Sequence, residues 1–156
     1  MKIKEVVGIA FIEEGKLLIV QSRKSSKTNS YTFIGGGVEE GETLIEAAKR
    51  EVSEEIHSGF TINDNELELV FEQTEQAASD PNLTIRMHVF LAHKKIDVPL
   101  IPNEEILIYH WYTPGENYNV SNSIKDFLNF ALENNIIKEN KLRKWKMGEL
   151  VFNKYQ

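Results

Sequence analysis

Glu51, Glu54 and Glu55 place three carboxylates within five residues of this chain. Their spacing is i, i+3 and i+4, which on a helix of 3.6 residues per turn puts all of them on one face. Neighbouring like charges destabilise a helix unless something neutralises them. A hard divalent cation such as Mg²⁺ suits that task, because it prefers carboxylate oxygens. The competing reading of a Glu-x-x-Glu-Glu run is a solvated acidic face with no ligand. The preceding residues favour the metal. Gly35-Gly36-Gly37 lets backbone or ligand approach closely, and Gly41 permits a second tight bend. Arg50 lies one turn before Glu54 and can pair with Glu54 or with Glu42, fixing a carboxylate's angle as metal ligands require.

These side chains need a helix and a sheet to hold them. Leu44, Ala48, Val52 and Ile56 recur every four residues and form an apolar stripe opposite the acids. Gly41-Glu42-Thr43 marks the helix start, with a hydroxyl or carboxylate to cap the free N–H groups. Tyr31–Ile34 reads as a short strand leading into a glycine turn. Val6–Phe11 and Lys16–Gln21, separated by Glu13-Glu14-Gly15, read as a hairpin. Ser22–Ser30 is polar and reads as a loop. Further strands are expected at Leu67–Gln73, Leu83–Ala92 and Ile106–Tyr112. Loops are expected at Glu75–Asn82 and His93–Asn103, the latter carrying Pro99 and Pro102. Ser121–Glu133 has Ile124, Phe127, Leu128 and Ala131 at helical spacing, with Ser121 or Asn122 as cap. Strands before, between and after two helices imply a mixed α/β (α+β) fold, with the sheet between helices. The length of 156 residues fits one domain, 1–156, with 138–156 an extension of undetermined role and Val151-Phe152 a possible edge element.

Here the residues carry a resemblance. The pattern Gly-x5-Glu-x7-Arg-Glu-apolar-x-Glu-Glu is met at Gly36, Glu42, Arg50, Glu51, Val52, Glu54 and Glu55. It resembles the signature box of the Nudix (MutT-like) hydrolases, which cleave nucleoside diphosphates linked to another group using Mg²⁺ or Mn²⁺. Tyr31-Thr32-Phe33-Ile34-Gly35-Gly36 is similar to the family's aromatic-x-apolar-Pro-Gly-Gly lead, with Ile34 in the proline position. Glu104-Glu105 followed by Trp111-Tyr112 resembles its later acidic loop and aromatic strand. The match is strong over residues 31–56 and weaker, in order of elements, over 5–133. One departure follows the box. The family's Glu-Glu-x-Gly-apolar is replaced by Glu54-Glu55-Ile56-His57-Ser58-Gly59-Phe60, which implies that the helix runs about half a turn further before a glycine cap. His57 then lies at a helix end as a cap or surface residue.

The resemblance implies an α/β/α sandwich. It also implies a metal set of Gly35 (through its carbonyl), Glu51, Glu54 and Glu55, completed by Glu105 from a distant loop; for Glu104 and Glu105 ordinary loop solvation is the alternative. Catalytic roles fall on Glu51, as proton acceptor, with Glu54 and Arg50, and substrate contacts on Phe33, Gly36, Gly37 and Trp111. Glu42 caps the helix or pairs with Arg50. Phe33, Phe71, His88, Trp111 and Tyr112 can each stack on a base or simply fill the core. No proline or tyrosine marker of ADP-ribose or dinucleoside polyphosphate subgroups stands in Glu72–Gln76. A nucleoside triphosphate pyrophosphohydrolase is therefore favoured, with a non-catalytic nucleotide-sensing module as alternative. A prenyl diphosphate isomerase on this fold usually wants a cysteine, and the chain has none.

Composition narrows the partners. The net charge of −6 argues against a nucleic-acid polymer, since that binding calls for a basic surface. A small nucleotide remains compatible, because metal ions neutralise phosphate locally. The basic run Lys138–Lys146 is interrupted by Glu139 and reads as a solvated tail. With no cysteine, disulfides and thiolate metal sites are excluded. No apolar run long enough for a signal peptide or membrane span follows Met1, so a cytoplasmic location is the default expectation. Homodimers are frequent in such folds, and no feature here specifies one.

Overall fold

A computed structural model describes residues 2–76 and 80–137. Strand β1 (Lys2–Ala10) is followed by β2 (Ile12–Glu13), β3 (Lys16–Ser22), a 3-10 turn (Ser25–Thr28) and β4 (Ile34–Gly37). Helix α1 (Leu44–Ile56) comes next, then β5 (Leu67–Gln76), β6 (Leu83–Ala92), β7 (Ile106–Tyr112) and helix α2 (Asn122–Glu133). The strands form a four-stranded sheet in the order β4-β1-β6-β5 and a three-stranded sheet in the order β2-β3-β7. β1 runs parallel to β6 and antiparallel to β4, so the larger sheet is mixed.

Period-2 alternation divides the core between the helices. On β1, Val7 and Ile9 point to the α1 side and Ala10 to the α2 side; on β3, Leu18 and Val20 take the first side and Leu17 and Ile19 the second. α1 buries Ala47, Ala48, Val52 and Ile56, and α2 buries Ile124, Phe127, Leu128 and Ala131. Burying each large aliphatic side chain contributes about 1.5–3 kcal/mol, which anchors both helices against the strands.

Three expectations change. β5 runs on past Gln73 to Gln76, into the expected loop Glu75–Asn82, because Thr74, Glu75 and Gln76 pair with Arg86, Ile85 and Thr84 of β6. The hairpin is confined to β2–β3, where Glu14 (φ 53°) and Gly15 (φ 76°) supply the two positive-φ residues of a tight primed turn. β1 leaves that pairing after Ala10 and joins the other sheet between β4 and β6. The glycines, in turn, are not a flexible turn after a strand but the strand itself. Gly35, Gly36 and Gly37 pair with Gly8, Val7 and Val6 of β1, and Ile34 is fully buried opposite Ile9. Helix α2 takes Ser121 as its cap, its side chain accepting from the Ile124 N–H. The basic run 138–146 and the expected element at Val151-Phe152 lie outside the described residues. Among those described, no helix is long and apolar enough to cross a membrane.

Candidate active site

The site is built where β4 meets α1. Thr43 caps the helix. Its hydroxyl accepts from the Glu46 N–H at 3.2 Å, while the Glu46 carboxylate accepts from the Thr43 N–H at 2.9 Å. Steric facts require two of the glycines. A Cβ on Gly35 would sit 2.0 Å from the Val7 carbonyl oxygen, and one on Gly36 would sit 2.4 Å from Glu51 Oε2. The bare Gly36 backbone is thus the seat of the Glu51 carboxylate. Gly37 has no such need, its nearest neighbour to an added Cβ being Lys4 Cε at 3.5 Å.

Arg50 is the hub of the acidic face. Its Nε and Nη2 donate to Glu42 at 2.6 and 3.0 Å, Nη2 also donates to the Gly37 carbonyl at 3.0 Å, and Nη1 reaches Glu51 at 3.0 Å and Glu54 at 3.4 Å. The hydrogen bonds to Glu42 raise the guanidinium pKa, and the same bonds hold the Glu42 carboxyl below the usual range. Arg50 therefore ties the strand to the helix and orients Glu51, a positioning task. Glu42 pairs with Arg50 and also accepts from the Glu39 N–H at 2.8 Å.

Two carboxylates are held in unfavourable surroundings. Glu51 is 8% exposed, and burial raises its pKa although Arg50 pulls the other way. Burial pushes Glu55 up to about 8, partly offset by the Gly35 N–H donating to Oε1 at 2.9 Å and reinforced by the charges of Glu51, Glu105 and Glu54. Glu54 is half-exposed. Among the described residues no three acidic or imidazole side chains already close around one point. Arg50 stands between Glu51 and Glu54, and Glu55 turns toward Gly35. The donor set nonetheless fits a hard divalent ion: all-oxygen, short of positive charge, and seated on a glycine that leaves room for the carboxylate.

The loop before β7 joins this site. Glu105 acts on Glu55 through its charge, and a cleft of about 350 Å³ is lined by Glu55, Glu104 and Glu105 together with Arg23, Lys24 and Lys27. Those three cations were missed by the sequence reading, although the Arg23-Lys24-x-x-Lys27 run was visible in the loop Ser22–Ser30. Tyr109 was missed too. Its hydroxyl donates to the Glu55 carbonyl at 2.5 Å. That bond engages a carbonyl of the last turn of α1, which ends at Ile56. The expected half-turn extension does not form. Instead His57 (φ 64°, ψ −163°), Ser58 (φ 56°) and Gly59 (φ 78°) are successive positive-φ residues.

The aromatic candidates scatter. Phe33 is 4% exposed and packs edge-on to Phe127 at 5.5 Å, in the core on the α2 side. Phe71 joins the same ring cluster, and Tyr112 is buried. Trp111 lies half-buried on β7 against the α1-side core. His88 is buried between two carboxylates, its Nε2 2.6 Å from Glu5 Oε1 and its Nδ1 2.5 Å from Glu72 Oε2.

Fold and site together define a class: an α+β protein whose acid-faced helix packs on a glycine strand of a mixed sheet. The family is shown as well. The NUDIX domain model matches residues 2–129, and the chain belongs to the Nudix family, whose hydrolases act on pyrophosphate bonds. Solved structures share the fold. MutT protein from Methanosarcina mazei Go1 is similar at 20% identity and a TM-score of 0.69, over 86% of this chain and 96% of that one. MutT NUDIX hydrolase from Burkholderia pseudomallei is similar at 16% identity and a TM-score of 0.68, over 83% of this chain and 98% of that one. A UDP-X diphosphatase is similar at 18% identity and a TM-score of 0.62, over 89% of this chain and 66% of that one. Comparison with curated proteins yields no match.

Proposed function

We propose that this chain is a Mg²⁺-dependent hydrolase, with Mn²⁺ as substitute, that cleaves the diphosphate linkage of a nucleoside diphosphate-X, and that its substrate is a nucleoside triphosphate. The observation that carries this reading is the buried pair Glu51 and Glu55. Both carboxyls are held above the ordinary range by burial on one helix face, against the backbone of Gly35 and Gly36. Two neighbouring carboxyls buried at a cost to the fold are an arrangement that a bound cation would relieve.

In this reading Glu51, Glu54, Glu55 and the carbonyl of Gly35 hold the metal, with Glu105 contributing from its loop. Bound there, a divalent ion supplies charge neutralisation on the phosphates and a more acidic water. The chain's own residues do the rest. Arg50 sets the angle of Glu51 from its anchor on Glu42 and Gly37. The Gly35 N–H directs Glu55. Glu51 and Glu55, the two carboxyls with raised proton affinity, are the candidates for proton acceptor. The substrate named for the UDP-X diphosphatase belongs to that protein, and a shared fold leaves X open.

The test is a nucleotide panel with Mg²⁺ or Mn²⁺, scored by product mass. Glu51→Gln, Glu54→Gln and Glu55→Gln are each expected to lower kcat by about 10²–10⁴. Unchanged turnover in the Glu54→Gln/Glu55→Gln double variant overturns this site. Tight nucleotide binding with no product over hours would make the chain a sensor instead.

A further inference from the structure

Two walls of opposite charge line the 350 Å³ cleft. One carries Glu55, Glu104 and Glu105. The other carries Arg23, Lys24 and Lys27. Among the described residues none of these three cations has a carboxylate within 4.0 Å. The cations are nevertheless held on a built turn. Ser22 and Ser25 bond reciprocally, each backbone N–H to the other's hydroxyl at 2.9 and 3.0 Å, and the Ser26 hydroxyl donates to the Arg23 carbonyl at 2.7 Å. The turn closes through Asn29 in the left-handed region, whose side chain accepts from Gln21 at 3.1 Å.

That turn is also fastened to the acidic loop. The Arg23 N–H donates to the Glu105 carbonyl at 2.9 Å, and Arg23 Nε donates to the Glu104 carbonyl at 3.0 Å. The cations and the Glu104–Glu105 carboxylates therefore keep a common frame. A ligand that meets both walls must itself be polyanionic, to satisfy the cations, and must reach the acids through a metal ion. A neutral sugar satisfies neither wall. On a chain of net charge −6, three cations gathered in one cleft, with no ion pair among the described residues, are a local concentration of positive charge beside the acids.

We infer that Arg23, Lys24 and Lys27 clamp the terminal phosphates of the substrate, so that this site selects a nucleoside triphosphate or longer phosphate chain over a nucleoside diphosphate joined to a neutral group. The inference rests on the hydrolase reading above and names its substrate class. In the reaction the oxygen of water bonds to one phosphorus of the α–β anhydride, and the bridging oxygen leaves with the other. Nucleoside triphosphate and water become nucleoside monophosphate, pyrophosphate and a proton. The clamp holds the pyrophosphate half.

The experiment uses the full chain and the Lys24→Gln/Lys27→Gln variant, with Arg23→Gln as a second and Lys125→Gln, exposed on α2, as a general charge control. Two quantities are read. One is the ratio of kcat/KM for a nucleoside triphosphate to that for a nucleoside diphosphate sugar. The other is the calorimetric affinity for inorganic triphosphate with Mg²⁺, which needs no turnover. Both are expected to fall about tenfold in the double lysine variant, as for the loss of charge-assisted hydrogen bonds, and to hold in the control. An unchanged affinity for inorganic triphosphate overturns the clamp, and so does equal loss on both substrates. If nothing is hydrolysed while inorganic triphosphate still binds through Lys24 and Lys27, the hydrolase reading fails and the clamp stands. If only the diphosphate sugar is cleaved and inorganic triphosphate does not bind, the clamp fails and the hydrolase stands.

Discussion

Two clusters of carboxylates and cations lie on the same face of the larger sheet, and they are built differently. Across the register run Gly36, Val7, His88 and Glu72, so the seat of Glu51 and the imidazole of His88 are two strands apart on one face. In the α1 cluster, among the described residues, a single guanidinium, Arg50, answers Glu42, Glu51 and Glu54, and Glu55 has only a backbone N–H. In the second cluster two carboxylates meet matched partners. Glu5 receives His88 Nε2 on one oxygen and Arg86 Nη1 on the other at 2.9 Å, while Glu72 takes His88 Nδ1. The second cluster spreads two carboxylates over an imidazole and a guanidinium and ties β1, β6 and β5 together. The first has acid to spare. Excess of one charge sign, rather than density of charged groups, separates a candidate cation site from a structural network.

Gly36→Ala should break this contrast most severely. The added Cβ would fall 2.4 Å from Glu51 Oε2 and displace it, so turnover is expected to drop about a hundredfold, the size of losing a positioned catalytic group. Glu72→Gln, in the balanced cluster, should change kcat by no more than a few-fold in the same assay. Turnover that tracks Glu72 as closely as Gly36 would erase the distinction.

The next effect concerns stability. His88→Leu removes the ring between Glu5 and Glu72, leaving Glu5 with Arg86 alone and Glu72 without its imidazole. Denaturant unfolding should report a loss of about 1 kcal/mol, the size of a net hydrogen bond, because solvent reaches both carboxylates. Stability equal to the parent chain would mean that the network carries no structural weight.

The smallest effect is a slope with pH. Glu55 keeps its proton to about 8 in the folded, metal-free chain, whereas the unfolded chain releases it in the ordinary carboxylate range. Between those limits the folded state binds the extra proton, so unfolding free energy should fall as pH rises from about 5 to 8. Thermal melts in chelator would measure this. Glu55→Gln should flatten the slope, and added Mg²⁺ should stabilise most at the alkaline end, where the carboxylate is free to accept it.

Much of the candidate site was legible because its information is local. The spacing of Glu51, Glu54 and Glu55, the stripe of Ala48, Val52 and Ile56, and the Thr43 cap all depend on helix geometry, which repeats within a few residues. β6 and β7 match their expected bounds because β6 alternates Leu83, Ile85, Met87 and Val89 with Thr84, Arg86 and His88, β7 is rich in β-branched and aromatic residues, and turn residues flank both. Other features depend on residues far apart in the chain. Nothing near His57 announces that Tyr109, more than fifty residues on, bonds the Glu55 carbonyl. The glycine strand looked like a turn because a run of glycines has no side-chain pattern to reveal its pairing with β1.

The sequence alone settled which residues share the acidic face of α1, since the pitch of a helix turns spacing into direction without help from the rest of the chain. Tertiary structure decided what surrounds them. Only folding buries Glu51 on Gly36, brings Glu105 and the Arg23–Lys27 turn to the same cleft, and gives Arg50 its anchors, because burial and long-range charge are properties of packed neighbours rather than of sequence spacing.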